Sequence, residues 1–137
     1  MLERNWGRLL FITSESGVTP PPSRLHYATT KSAQMALARG LAEITAGTCV
    51  TSNSIIVGVT KTEAIHDLIV QMAIDQGISE IEVERNLVAH HRPTQLLKRL
   101  ATSDEVANMV VYIASTQAAA TNGAALRVDG GGLSSIL

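Results

Sequence analysis

The sequence predicts an α/β fold, a parallel sheet of about three strands with flanking helices, and three observations carry that expectation. Leu9-Leu10-Phe11-Ile12 is a short unbroken apolar run, the pattern of a parallel strand covered on both faces. Residues 27–46 read as a helix, and Val50–Val57 reads as a second strand that Gly58 stops. A strand, a helix and a strand at this spacing make a right-handed βαβ unit, because parallel neighbours need a crossover connection.

The remaining elements follow in order. Trp6 reads as a packing residue ahead of the first strand, which breaks at Thr13-Ser14-Glu15-Ser16-Gly17. Thr19–Ser23, with three prolines, is a loop too short to act as a polyproline ligand. In the first helix Ala33, Leu37, Ala38, Leu41 and Ile44 make an apolar face, and Gly47 is placed to end it. Glu63–Gln76 carries Ile65, Leu68, Ile69, Met72 and Ala73 at helical spacing. Gly77 interrupts, Glu80–His91 is a charged helix, and Pro93 closes it. Thr102 with Glu105 forms a capping box ahead of a helix over 103–115, within which Tyr112 reads as core. Asn122-Gly123 is a turn, Ala124–Val128 a last strand, and Asp129-Gly130-Gly131-Gly132 a flexible exit.

Bulk properties exclude several classes. The chain has 137 residues and 45% hydrophobic content, enough for one domain with a real core and too apolar for a disordered tail. A formal charge of −1, with both signs interspersed, gives no basic stripe for nucleic acid. No apolar run approaches the roughly 18 residues that span a bilayer, and the N-terminal residues lack a signal-peptide pattern. One cysteine, Cys49, cannot staple the fold, which fits a reducing, cytoplasmic compartment. Adjacent His90 and His91 point to different helix faces, and His26, His66 and Cys49 show no ligand spacing, so no metal site is expected.

Chemistry concentrates where the first strand passes into the helix. Tyr27 and Lys31 stand four residues apart, one turn along the same helix face, and Ser14 precedes the tyrosine by thirteen residues. A free phenol is almost wholly protonated at pH 7. An ammonium within about 4–6 Å favours the phenolate and makes such a group a usable proton carrier. A serine hydroxyl beside the pair stabilises charge developing on a substrate oxygen. Ser16 competes with Ser14 and reads as a turn residue.

The ordered set Gly7-Arg8-Leu9-Leu10-Phe11-Ile12-Thr13-Ser14, Tyr27-x3-Lys31, Asn53-Ser54-Ile55-Ile56-Val57-Gly58 and Arg127-Val128-Asp129-Gly130-Gly131 resembles the later half of a short-chain dehydrogenase/reductase. The resemblance covers essentially the whole chain and implies part of a Rossmann-like, doubly wound sheet, with residues 1–137 as a single incomplete domain. It implies NAD or NADP as cofactor and a small alcohol or carbonyl compound as substrate. Ser14 would hydrogen-bond the substrate oxygen, Tyr27 would give or take its proton, and Lys31 would hold the nicotinamide ribose. Gly58, Thr60 and Thr62 would form the loop beside the nicotinamide, and residues from Lys61 to about Leu97 would contact substrate.

Val57 departs from the family pattern, which usually has proline there. The glycine-rich pyrophosphate turn, the Asn-Ala-Gly strand and the catalytic asparagine of that family have no counterpart in the sequence. The resemblance therefore implies that strand 9–12 lies on an open edge and that the helix after it exposes an alanine and leucine face. The chain is expected to self-associate or to need a partner chain, and to bind NAD(H) or NADP(H) weakly by itself.

Overall fold

The computed structural model describes residues 1–136, and its centre is a parallel three-stranded sheet. Strand β1 (Gly7–Ser14) is joined by helix α1 (Leu25–Ile44) to β2 (Val50–Val57), the two strands pairing from Gly7 opposite Val50 to Ser14 opposite Val57. The last strand, β5 (Ala125–Val128), pairs along the other side of β2, giving the order β1-β2-β5. Between β2 and β5 run β3 (Thr60–Lys61), α2 (Glu63–Gln76), α3 (Glu80–His91), β4 (Ala101–Thr102) and α4 (Ser103–Ala114). β3 and β4 form a short parallel bridge of their own, which the sequence reading did not contain.

Burial follows from that order. β2 lies between two strands and is buried from Val50 to Ile56. Two of its polar residues bond to the flanking layers: Ser52 Oγ donates to Ala38 O of α1 at 2.8 Å, and Asn53 Nδ2 donates to Thr121 O at 2.9 Å, while Thr51 Oγ1 is buried without a hydrogen-bond partner among the described residues. Alternation along the strand puts Ser52 and Asn53 on opposite faces, so α1 covers one face and the α4 region the other. Arg8, opposite Thr51 in the register, reaches Ser115 O at the end of α4 by the same logic.

β1 was expected to be covered on both faces and is not. Leu9, Leu10 and Phe11 are only half-buried and Ile12 is 46% exposed, because among the described residues β1 pairs on one side alone. Trp6 is likewise exposed, with the Arg8 guanidinium 5.3 Å from its ring centre.

The helices correct the reading in detail. α1 begins at Leu25, two residues before the expected start, and ends at Ile44, where Thr45 donates through Oγ1 to Leu41 O. Gly47, expected to end the helix, lies in the turn beyond it with φ +78°. Of the expected apolar face Ala38 is buried and Leu41 half-buried, while Ala33, Leu37 and Ile44 are exposed. The buried stripe is Ala28, Ala38 and Ala42, since only small side chains let the helix backbone approach β2 closely enough for the Ser52 bond. Tyr112, expected in the core, is 46% exposed, and Ile113 takes the buried position on α4. A second small core of Ile69, Ala73, Val83, Val88 and Leu100 joins α2, α3 and the segment before β4. No helix is long and apolar enough to cross a membrane among the described residues.

The capping box forms as the sequence indicates. Thr102 Oγ1 accepts from Glu105 N, and Glu105 Oε2 accepts from Thr102 N at 2.8 Å, while Arg99 grips both carboxylate oxygens. The hydrogen bonds from Arg99, and then that from the Thr102 N–H, hold the Glu105 carboxyl down at about 2, against an ordinary 4.5. A lowered value means the carboxylate favours the fold above pH 4.5 and loses that advantage as pH falls toward 2. Replacing Thr102 by alanine is expected to cost about 1 kcal/mol in urea unfolding at pH 7. Carboxyl NMR should place the Glu105 midpoint near 2 and should move it upward in Arg99→Gln.

Candidate active site

The carboxyl ends of β1 and β2 and the first turns of α1 meet at one end of the sheet, around a cavity of about 340 Å³. Every residue singled out from the sequence lines it: Ser14, Tyr27, Lys31, Gly58, Thr60 and Thr62. The crossover produces this meeting, because β1 leaves the sheet at Ser14 and the chain re-enters helix at Leu25, a few residues before Tyr27.

Ser14 is the last residue of β1 and also caps a single 3-10 turn, Glu15–Gly17. Its Oγ accepts from Ser16 N at 3.2 Å, which leaves the hydroxyl proton free to donate into the cavity. Ser16 thus orients Ser14, consistent with its reading as a turn residue. The turn is seated on α1: Ser32 Oγ donates to Gly17 O at 2.6 Å, and a methyl group at Gly17 would come within 2.9 Å of Ser32 N. Only glycine permits that approach.

Tyr27 is 36% exposed, and Lys31 Nζ lies 5.6 Å from its ring centre, one helical turn away. The ammonium donates to Ile12 O at 3.0 Å and to Gln34 Oε1 at 3.2 Å. Two of its three donors are thereby used, and one remains for the cavity.

The loop after β2 is fixed despite valine at position 57. Gly58 N donates to Val128 O at 3.1 Å, Thr60 Oγ1 to Gly58 O at 3.2 Å, and Thr62 N to Thr60 O at 2.8 Å. Thr62 occupies the cap position of α2, yet its hydroxyl makes no capping bond, whereas Ser79 and Thr102 both cap their helices. The Thr62 hydroxyl is therefore uncommitted at the helix start.

Three charged residues of the cavity wall escaped the sequence reading: Glu15, Arg24 and Arg92. Glu15 was visible as an acid between two serines in a turn at a strand end, and Arg92 as the residue before helix-ending Pro93. With Lys31 they give the cavity three cations and one carboxylate. Asp129 also departs from expectation. It is 6% exposed rather than part of a flexible exit, and it accepts from Leu133 N at 2.9 Å, Gly131 N at 3.1 Å and Arg127 Nη2 at 2.8 Å. Burial pushes its carboxyl up, but the Leu133 N–H, the Arg127 guanidinium and the Gly131 N–H outweigh that and hold it below 3.8. At the end of α3 the rings of His90 and His91, expected on different faces, meet edge to face at 4.8 Å.

Residues 1–132 match the family described as enoyl-(acyl carrier protein) reductase. The uncharacterized oxidoreductase YvrD of Bacillus subtilis (strain 168) is 44% identical over 131 residues, 96% of this chain and 50% of its own length. The uncharacterized oxidoreductase YvaG of the same organism is 37% identical over the same shares. The crystal structure of a variant actinorhodin polyketide ketoreductase with NADPH superposes with a TM-score of 0.77 at 27% identity, over 96% of this chain and 49% of that one. The chain belongs to the short-chain dehydrogenase/reductase family. It spans about half the length of the curated relatives it matches.

For a dehydrogenase/reductase chain the packing behind the loop matters as much as its lining. A methyl group at Gly58 would lie 2.7 Å from Asp129 Cα and 2.9 Å from its carbonyl oxygen, both backbone atoms that cannot turn aside. Gly58→Ala is expected to lower stability by about 1–3 kcal/mol in urea unfolding, from overpacking between β2 and β5.

Proposed function

We propose that this chain is the later half of a short-chain dehydrogenase/reductase domain, serving hydride transfer between NAD(H) or NADP(H) and a small alcohol or carbonyl substrate. The observation that carries the reading is the convergence of Ser14, Tyr27, Lys31, Gly58, Thr60 and Thr62 on one cavity at the strand ends. The free donor on Lys31 and the uncommitted hydroxyl of Thr62 fit the ribose and carboxamide ends of a nicotinamide nucleotide. When bound, the cofactor supplies or accepts the hydride.

The chain's own residues do the rest. Ser14, oriented by Ser16, donates to the substrate oxygen as charge develops there. Tyr27 gives that oxygen its proton in reduction and takes it back in oxidation. Lys31, anchored to Ile12 O and Gln34 Oε1, keeps the ribose hydroxyls beside Tyr27 with its remaining donor. Thr60 and Thr62 hold the nicotinamide side of the loop above Gly58. With a carbonyl panel and reduced cofactor, followed by nicotinamide absorbance, Tyr27→Phe should lower turnover by about 10²–10⁴-fold. Retained turnover with the fold intact by circular dichroism would place the proton donor elsewhere.

A second reading has its own support: β1 pairs on one side alone among the described residues, and the chain spans half the length of its relatives. On this reading the polypeptide is inactive until a partner chain, or a second copy, completes the sheet and the pyrophosphate site. Titration with reduced cofactor, read by nicotinamide fluorescence, is expected to show affinity weaker than micromolar for the chain alone. Turnover should rise on mixing with the complementary half of YvrD, and micromolar affinity without it would count against the second reading.

A further inference from the structure

Glu15 stands between the two serines of the β1–α1 turn, and segments distant in sequence converge on its carboxylate. Its side chain is 11% exposed, and Oε1 lies 2.9 Å from Arg92 Nη2, just beyond α3. Oε2 lies against Gly132, where an added methyl group would come within 2.8 Å of it. Glu15, Ser16 and Arg92 also line a second cavity of about 260 Å³, bounded by Thr94 and Leu133. The ion pair is the partition between the two hollows.

We propose that Glu15 is a positioning residue whose carboxylate, held by Arg92, clasps the Ser14–Gly17 turn to the α3–β4 connection and to the exit of β5, and so fixes the direction of the Ser14 hydroxyl. This rests on the reading of the larger cavity as the substrate site. The turn depends on Glu15 through its backbone as well: its carbonyl accepts from Val18 N at 3.0 Å and Thr19 N at 2.9 Å.

The energetics argue for geometry rather than stability. The 2.9 Å contact is an ion pair without an aligned hydrogen bond at Glu15 Oε1, and Arg92 Nε is buried with no partner. Burial pushes the Glu15 carboxyl above 4.5, Arg92 pulls it back only in part, and Asp129 adds to the rise. A carboxylate raised in the fold makes folding less favourable as pH climbs from 4.5 through its native midpoint, so the charged form costs stability. Other charged or titratable groups surround it on each neighbouring element: Arg92 and His91 at the end of α3, Asp129 just after β5 with its partner Arg127 in that strand, and Arg24 and Lys31 across the cavity.

The test is NMR on the purified chain, with no cofactor and no turnover, so its outcome is independent of the activity assays above. Carboxyl titration should show the Glu15 midpoint higher still in Arg92→Gln and back near the native value in Arg92→Lys. Amide protection at Ser16, Val18 and Thr19 should fall by about tenfold in Arg92→Gln and in Glu15→Gln, recover in Arg92→Lys, and stay unchanged at Ile56 in β2. Glu15→Gln should melt no lower than the native chain at pH 7, which a purely stabilising role would not allow. In the native chain, protection at Ser16 should drop as Glu15 protonates, and this holds the proposal open to refutation if a variant does not fold. A Glu15 midpoint indifferent to Arg92→Gln, or protection lost equally at Ser16 and Ile56, would overturn it.

Discussion

The constraint on which this structure depends is that two adjacent strands run parallel and must be joined by a crossover. β1 and β2 pair residue for residue over eight positions, so the chain has to travel back the length of the sheet before β2 begins. α1 is that return path. Its start lies at the carboxyl end of β1, and this geometry alone brings Tyr27 and Lys31 to Ser14. The alanines of α1 and the backbone-to-side-chain bonds of Ser52 and Ser32 then set how close helix, sheet and turn lie. Chemistry at the site is a consequence of connection before it is a consequence of side-chain identity.

Much of this was legible in the sequence because it rests on local signals. The period of α2, the Thr102–Glu105 box, and the strand-helix-strand spacing each act over a few residues, and each element appears where those signals put it. The cavity lining was legible for a different reason: a tyrosine and a lysine one turn apart and a serine at a strand end leave little freedom once the crossover is right-handed. What sequence could not yield depends on partners distant along the chain. Leu37 and Ile44 are periodic yet exposed, because the sheet selected the small-residue stripe over the large one. Leu9 to Phe11 look like a core strand but are half-buried, since burial is set by what lies on the other side of β1. The β3–β4 bridge spans forty-one residues for two paired positions, too little pattern to see. Glu15 and Arg92 meet only because the α3–β4 connection folds back over the turn.

The electrostatic arrangement separates into two kinds of acid. Glu105 and Asp129 are held ionised by donors aimed at them, and both organise backbone at the start or end of an element. Glu15 is different: its surroundings resist its charge, and its one cation does not fully compensate. Groups of the first kind reinforce the fold. A group of the second kind persists in spite of what the fold gains, and it sits on the wall of the cavity where Ser14, Tyr27 and Lys31 meet.

The polar run at the middle of β2 has one more implication. Asn53 gives its amide to Thr121 O and takes the Ala124 N–H at 3.0 Å, while the Ser52 N–H donates to Asn122 Oδ1 at 2.9 Å. A slip of β2 by a single residue would turn these groups to the wrong faces and strand several of them in a dry interior. An oily strand of the same length would tolerate that error. The sheet therefore carries its own check on alignment: mispaired forms are penalised by orphaned amides and hydroxyls, and the correct register is the one in which Ser52 and Asn53 both keep their partners.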